Sequence, residues 1–348
     1  MSGPATLSVA ILNFNHGRFL PDALQAILKQ SRAPNELLVI DDASTDDSWR
    51  VIEALVDRNA SVRAVRNERN RGVIANLNDA LERLNGDLVL FAAADDIVLP
   101  DLFEDSVALL SRYPEAALCS ALSLRMDTDG THLEPYRSPL PLAEPGFLSA
   151  ARCAELLVRY DSWFMGNTTI YRRAMLEAIG GYRPELGSFC DGFACRLLAL
   201  RHGACFVPEA RAIWRLSESG YSAATRANHR AAGAIRREAL RLMGGEYASD
   251  FPPAYAERWA RRSQYAILAT PGGSCDLGPE LPLPGNSLVR SCLNRLRAWR
   301  GSGWLRRRFA AVALFLGLRG FDLLPAIGWR LRFFVFHAVR AVRHRASK

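Results

Sequence analysis

Two pairs of adjacent carboxylates stand where apolar runs stop. Leu37-Leu38-Val39-Ile40 ends in Asp41-Asp42, and Leu88-Val89-Leu90-Phe91-Ala92-Ala93-Ala94 ends in Asp95-Asp96, with Pro100 closing the second stretch. A third acid, Asp191, opens a helical segment in the second half. Neighbouring anions repel unless something positive lies beside them, and a hard divalent cation that also holds substrate phosphates is one solution. An ionised carboxylate is an acceptor-only group, suited to a base N–H or a ribose hydroxyl. On this reading Asp42 meets a base, Asp95 and Asp96 hold a ribose hydroxyl and a metal bridging a diphosphate, and a partly desolvated Asp191 is a general base toward an incoming hydroxyl. The competing reading is a solvated turn or a helix N-cap, since Asp is favoured at both. Two such pairs on one rim are harder to explain as caps.

The elements that must position these acids follow from the apolar pattern. Leu7 to Leu12 reads as a first strand ending in Asn13-Phe14-Asn15-His16-Gly17, and Leu20, Ala23, Leu24, Ile27 and Leu28 recur at helical spacing. Leu37–Ile40 is a second strand, a helix carries Val51, Ile52, Leu55 and Val56, and Val62–Val65 is a third strand. Another helix contains Ile74, Leu77, Leu81 and Leu84 before the run into Asp95-Asp96. This alternation predicts a parallel, right-handed doubly wound sheet. Ligands of such sheets bind outside the carboxyl ends of the strands, where both acid pairs would lie.

Farther on, Pro100–Tyr113 reads as a helix, 116–122 as a strand, 127–147 as a long loop and Ala150–Tyr160 as a helix. Trp163–Tyr171 reads as a strand, Arg172–Ile179 and Asp191–Leu200 as helices, and 205–208 and 211–215 as two short strands. Amphipathic helices are expected over Arg226–Met243 and Ala254–Ala269, followed by a Pro/Gly-rich linker at 270–287.

Hydrophobic residues make up 49% of the 348 residues and charged ones 23%, enough apolar material for a sizeable core. The seven cysteines form no C-x-x-C pair and are odd in number, which argues against a disulfide framework or zinc site and for a reducing compartment. No apolar window is long enough to predict a spanning helix. Charge is unevenly placed: residues 286–348 hold 14 of the 44 lysines and arginines but one of the 36 acids, Asp322, so the rest of the chain is net acidic.

The ordered set of motifs resembles family 2 glycosyltransferases, the inverting group with a GT-A fold. The resemblance is carried by Ser8–Asn15, Leu20–Ser31, Glu36–Asp46, Arg69-Asn70-Arg71-Gly72 with Asn78, Asp95-Asp96 with Pro100, Gly180-Gly181-Tyr182, the Asp191–Gly203 segment and Trp214-Arg215. It implies an α/β GT-A architecture, a doubly wound, Rossmann-like mixed sheet that is mostly parallel, with a mainly helical C-terminal region. It covers roughly residues 6–222 and implies a catalytic domain over 1–222, while the chain's own pattern adds a helical extension and Pro/Gly-rich linker over 223–285 and a basic amphipathic tail over 286–348. Residue by residue, it implies that Asn13, Asn15, Asp42 and Arg71 line a nucleotide base pocket and that Asp95 meets the ribose. Asp96 then ligates Mn²⁺ or Mg²⁺, and Asp191 deprotonates the acceptor. Trp163, Trp214 and Arg215 are candidate donor or acceptor contacts. The implied reaction is attack of a hydroxyl of a saccharide or lipid-linked acceptor on the anomeric carbon of a nucleotide sugar, with UDP preferred because relatives often use it. Cell-surface polysaccharide or glycolipid synthesis is the implied setting.

Three departures stand out. Many relatives carry a further Asp where this chain has Ala93, and many have Glu-Asp where it has Cys190-Asp191; Ser217 also stands where relatives often have a His. A non-catalytic nucleotide-sugar binder of the same fold is therefore the alternative. A nucleotidylyltransferase would want a Gly-rich phosphate loop after the first strand, which Asn13–Gly17 does not supply. His16 is more readily a satisfied loop residue than a functional one. Trp163, Phe164 and Tyr171 suit a sugar face, with core packing the stronger reading. Aromatics interleaved with arginines in the tail suit the surface of an anionic bilayer, placing the protein in the cytoplasm and at the inner face of the plasma membrane. A helical appendage packed on the catalytic domain is the competing reading, and no known module supports nucleic-acid binding.

Overall fold

The computed structural model describes residues 5–59, 61–217, 220–269, 315 and 319–346. The expected linker and much of the basic tail, including Trp299, Trp304, Arg306 and Phe309, lie outside these described residues. The chain divides into two compact units: Met1–Glu155 with Ser162–Ser217, and Leu156–Asp161 with Glu218–Lys348.

The first unit is built on one ten-stranded mixed sheet. Its elements are β1 (Leu7–Asn13), α1 (Leu20–Leu28), β2 (Glu36–Asp41), α2 (Ser48–Val56), β3 (Val62–Arg66), α3 (Val73–Arg83), β4 (Leu88–Ala93), β5 (Ile97–Val98) and α4 (Leu102–Arg112). They continue with β6 (Leu118–Met126), β7 (Leu133–Pro135), β8 (Gly146–Leu148), the first half of α5 (Ala150–Tyr160), whose second half is counted with the other unit, then β9 (Ile170–Arg172), α6 (Arg173–Ala178), α7 (Cys190–His202) and β10 (Ala204–Arg215). The strand order is β3-β2-β1-β4-β9-β6-β10-β5. The first four strands are parallel, as the alternation of strand and helix predicts. β9 enters antiparallel between β4 and β6, so the sheet is mixed.

The central strands are buried on both faces, which is why they read as unbroken apolar runs. Alternate residues Leu7, Val9 and Ile11 of β1 join Leu20, Leu24 and Ile27 of α1 and Phe103 and Val107 of α4 in one core. Helix α7 is buried almost all round, from Phe193 through Ala199, and so lacks an exposed polar stripe.

Several expectations are corrected. The strand expected over Trp163–Tyr171 is a 3-10 turn, Gly166–Thr168, followed by the three residues of β9. The long loop over 127–147 contains β7, which pairs with β6, and runs into β8, which pairs with β10. Strands of three residues are too short to show an alternating pattern. The two short strands near 205–215 are one strand, β10, whose pairing with β6 shifts between Val207 and Ala212. Pro208 sits in that stretch and has no N–H to give the ladder. The helix expected over Arg226–Met243 is two, α8 (Tyr221–Ala227) and α9 (His229–Gly244). Asn228 separates them and caps the second, its Oδ1 accepting the Ala231 N–H at 3.1 Å.

The second unit is helical: α8, α9, α10 (Pro253–Ala269) and, after a 3-10 turn at Gly320–Asp322, α11 (Leu323–Ala346). Arg236 of α9 is buried and donates to the Ala260 carbonyl of α10 at 2.9 Å. No helix among the described residues is long and apolar enough to cross a membrane.

Candidate active site

Strand register sets the rim. Asn13 pairs opposite Asp41, and Leu12 opposite Ala93, so the segments after β1, β2 and β4 leave the sheet side by side. The members of the first acid pair part company there. Asp41 is fully buried and structural: it accepts from Asn13 Nδ2 at 2.8 Å and from the Ser44 N–H at 3.2 Å. Asn13 spends its amide nitrogen on Asp41 and on Ser44 Oγ, 3.1 Å away, so it ties the β1 and β2 ends together. Asn15 and Ala43 both sit in the left-handed region, at φ +56° and +60°, the second a strained place for alanine. Their loops are strapped by Asn15 N–H to Ser44 Oγ at 2.9 Å and Thr45 N–H to Asn15 Oδ1 at 2.8 Å.

Asp42 faces the next loop. Its carboxylate accepts from Asn67 Nδ2 and the Arg71 N–H, each at 2.8 Å, and from the Gly72 N–H at 2.9 Å. Burial pushes its pKa up, but these donors outweigh burial and hold it below the usual range. Asp42 thereby fixes the Asn70-Arg71-Gly72 turn, while the Arg71 guanidinium reaches Asp79 at 3.5 Å.

The second pair sits across from these loops. Asp95 Oδ1 lies 3.9 Å from His16 Nδ1, bringing the β1 loop to the β4 end. Asp96 accepts the Arg215 N–H at 2.9 Å, and the nearby Asn167 amide and Arg215 charge favour its ionised form. Burial, and the negative charge of Asp95 beside it, push its carboxyl up to about 8 despite those donors. A buried carboxyl so poorly compensated suits a site completed by a cation. Among the described residues, no group of three or more His, Cys, Asp or Glu forms a cage for a metal. Two adjacent carboxylates suffice for a small hard ion that keeps waters and shares substrate phosphates.

Asp191 stands in the first turn of α7. Its Oδ1 accepts the Gly192 N–H at 2.6 Å, and its Oδ2 lies where a Cβ on Gly166 would come within 2.8 Å. Burial raises its pKa, offset in part by that N–H and by the Arg196 charge. The 3-10 turn Gly166–Thr168 therefore lies between two of the predicted sites: Gly166 rests against Asp191, and the turn packs on β4, which leads into Asp95-Asp96. Thr168 anchors the turn to β6, donating to the Ala121 carbonyl and accepting its N–H, both at 3.0 Å.

The candidate sugar contacts fare differently. Trp163 is 1% exposed and packs on Phe164, so it offers no ring face to a sugar. Tyr171 is likewise buried, its hydroxyl 3.0 Å from Cys195 Sγ. Trp214 is half-buried and meets Tyr136 edge-on. Arg215 is buried; its Nε donates to the Asp95 carbonyl at 3.1 Å and its guanidinium covers the Phe19 ring at 4.3 Å. It holds the Asp95-Asp96 turn in place. Cys190 and Cys195 are buried and free, as small core residues. Sequence reasoning missed Asn67, Gly166, Asn167 and Phe19. The Gly166-Asn167 pair was the available signal, because such pairs mark turns inside apolar stretches.

Residues 8–179 match the family model described as glycosyl transferase family 2. The chain is 27% identical over 183 residues to the putative glycosyltransferase EpsE of Bacillus subtilis, a match covering 52% of this chain and 61% of EpsE. It is 28% identical over 130 residues to the putative teichuronic acid biosynthesis glycosyltransferase TuaG of the same organism, covering 37% of this chain and 51% of TuaG. The chain thus spans less than two thirds of the length of these curated relatives. Among solved structures, Staphylococcus aureus TarS 1–349 in complex with UDP-GlcNAc superposes with a TM-score of 0.59 at 15% identity, covering 93% of this chain and 92% of that one. The mannosyltransferase PcManGT from Pyrobaculum calidifontis, in complex with GDP-Man and Mn²⁺, gives 0.53 at 18%, covering 92% and 88%. At these identities the likeness shows the fold, the GT-A arrangement.

Proposed function

Because the chain belongs to glycosyl transferase family 2 through residues 8–179, we propose that it is a metal-dependent inverting transferase. It moves a sugar from a nucleoside-diphosphate donor, UDP-linked by preference, to a hydroxyl of a saccharide or lipid-linked acceptor. The observation that supports this reading is the turn Gly166–Thr168, which lies against the Asp191 carboxylate through Gly166 and packs on β4, the strand that leads into Asp95-Asp96. The bound UDP-GlcNAc of TarS and GDP-Man of PcManGT support a nucleotide-sugar donor, and the likeness to TuaG, a putative glycosyltransferase of teichuronic acid biosynthesis, supports a setting in polysaccharide synthesis. In this reading catalysis belongs to residues 1–222, with 223–285 a helical extension and 286–348 the basic tail.

The roles follow from the atoms. The strapped loops of Asn13, Asn15 and Asp42, with the Arg71 turn, border the base, and Asp95 accepts a ribose hydroxyl. Asp96, with Asp95 beside it, would hold Mn²⁺ or Mg²⁺, which when bound supplies Lewis-acid neutralisation of the leaving diphosphate. Arg215 keeps both carboxylates in register through the Asp96 carboxylate and the Asp95 carbonyl. Asp191 Oδ2 takes the proton of the acceptor hydroxyl as the new C–O bond forms on one face of the anomeric carbon. The bond to the diphosphate breaks on the opposite face, and the configuration inverts. A carboxyl raised by burial is better matched to that proton than an ordinary one.

The test is a donor panel read by thermal shift with Mn²⁺, followed by turnover of the donor that binds. Asp191→Asn should abolish transfer while donor binding persists. Near-normal turnover in that variant removes the assignment. Donor binding with no turnover in the native chain favours the non-catalytic binder.

A further inference from the structure

Phe19 opens α1 at the end of the loop after β1. Its N–H and that of Leu20 donate to the His16 carbonyl at 2.9 and 3.0 Å, and its own carbonyl accepts from the Asp22 and Ala23 N–H groups at 3.1 and 3.2 Å. The buried Leu20, Leu24 and Ile27 fasten α1 to the sheet, so the ring has a fixed base. Two side chains that reach Asp95 gather around that ring. The Arg215 guanidinium lies over it at 4.3 Å, and the His16 ring meets it edge-on at 6.2 Å. Arg18 also covers the ring, at 4.1 Å, but it is exposed and donates to the Thr128 carbonyl at 3.4 Å.

Arg215 is 8% exposed, and among the described residues no carboxylate forms an ion pair with its guanidinium. Its Nε and Nη1 donate to two neutral acceptors, the Asp95 and Thr128 carbonyls, at 3.1 and 3.3 Å. A buried cation without a counter-anion is costly, and the face of an aromatic ring is a neutral partner that offsets part of that cost. A carboxylate in the ring's place would neutralise Arg215. The ring instead holds the planar guanidinium flat and leaves its charge in force. That charge acts on the acid turn, where it favours the ionised form of Asp96.

We propose that Phe19 is a positioning residue for the cation site: its ring pins Arg215, and through Arg215 the Asp95 carbonyl and the Asp96 carboxylate, in the arrangement that receives the metal. Groups that orient metal ligands from outside the coordination sphere change metal affinity by roughly 10–100-fold. Phe19 stands one step farther out than Arg215, so its effect falls at or below the lower end of that range. The proposal rests on the proposed role of Asp96 in holding the cation, and it gives Phe19 no contact with donor or acceptor.

The experiment titrates Mn²⁺ into the full chain and reads the free ion by electron paramagnetic resonance. Phe19→Leu keeps an apolar side chain but removes the ring face, and should weaken Mn²⁺ binding by about five- to tenfold. Phe19→Tyr keeps the face and should bind within about twofold of the native chain. Arg18→Gln should also stay within about twofold, because an exposed charge that does not hold the turn contributes little. Uridine, which lacks a diphosphate, should bind the native chain and Phe19→Leu alike, and circular dichroism checks that the variants are folded. Phe19→Leu binding Mn²⁺ like the native chain, or Phe19→Tyr as weak as Phe19→Leu, would overturn the proposal. So would weaker uridine binding in Phe19→Leu, which would mean a general loosening of the loop. If the native chain binds no Mn²⁺, the cation reading of Asp96 fails, and amide exchange judges the hold of Phe19 on the turn. The Arg215 N–H, which donates to Asp96, should then exchange about threefold faster or more in Phe19→Leu, and equal rates would overturn the proposal.

Discussion

Asp191 Oδ2 rests against Gly166 so closely that a single added carbon on the glycine would come within 2.8 Å of it. The atom in the way is the end of a side chain, so a larger residue at 166 displaces the carboxylate and leaves the backbone where it is. Gly166→Ala should therefore cost little stability, within about 1 kcal/mol. It should lower turnover by one to two orders of magnitude, because a misplacement of about 1 Å has that effect on a reacting group. Donor affinity should be unchanged. A thermal midpoint and steady-state kinetics on the same preparation separate these outcomes.

Acidity at Asp191 gives a second prediction. Its folded pKa lies above the ordinary carboxylate value because the group is buried. Such a group contributes stability that is fully present below the unfolded pKa and is lost as pH rises through the folded one. Asp191→Asn should therefore gain stability relative to the native chain as pH is raised from the ordinary carboxylate pKa through the raised folded one, read as the denaturant midpoint at each pH. Turnover should show the opposite trend: it falls on acidification with an apparent pKa above the usual carboxylate range, since the base must be ionised.

Asp42 makes the reverse case. Three donors hold it below the usual range, so the stability it contributes is present above the ordinary carboxylate pKa and lost as pH falls through the lowered value. Asp42→Ala takes an acceptor from all three donors and leaves the Arg71 N–H without one. The Asn67 amide keeps Asn76 Oδ1 at 2.7 Å and the Gly72 N–H keeps Asn70 Oδ1 at 3.0 Å, so the change should cost about 1–3 kcal/mol. The Asn70-Arg71-Gly72 turn should loosen first, seen as faster amide exchange at Arg71 and Gly72, and donor affinity should fall with it.

How much of this was legible in the sequence differs by element. β1, β2 and β4 are buried on both faces, so their apolar runs and the acids ending them could be read directly. That reading also placed Asp42, Asp95 and Asp96 on one edge, where the register puts them. What it could not separate was Asp41 from Asp42, because only the Asn13 and Ser44 hydrogen bonds show which of two adjacent acids turns inward. The turn under Asp191 was hidden inside an apolar stretch, Trp163–Tyr171, whose aromatics look like strand residues. Trp163 stayed a candidate sugar contact beside the stronger core reading for the same reason: an aromatic beside polar residues reads alike whether it faces a ligand or the core, and its burial settles it as core. Arg215 was found as a residue of interest, but its hold on Asp95 and Asp96 spans well over a hundred residues of chain and carries no local pattern.

The central claim is that acids from β2, β4 and α7 serve one diphosphate-bearing donor around one cation. Crystals grown with UDP and Mn²⁺ and measured for anomalous scattering test it most directly. The account predicts a single manganese peak within bonding distance of the Asp96 carboxylate and of the diphosphate, with the base beside Asp42 and the Asp191 carboxylate facing the vacated sugar position. A nucleotide bound away from Asp42, or manganese bound without Asp96, would contradict it.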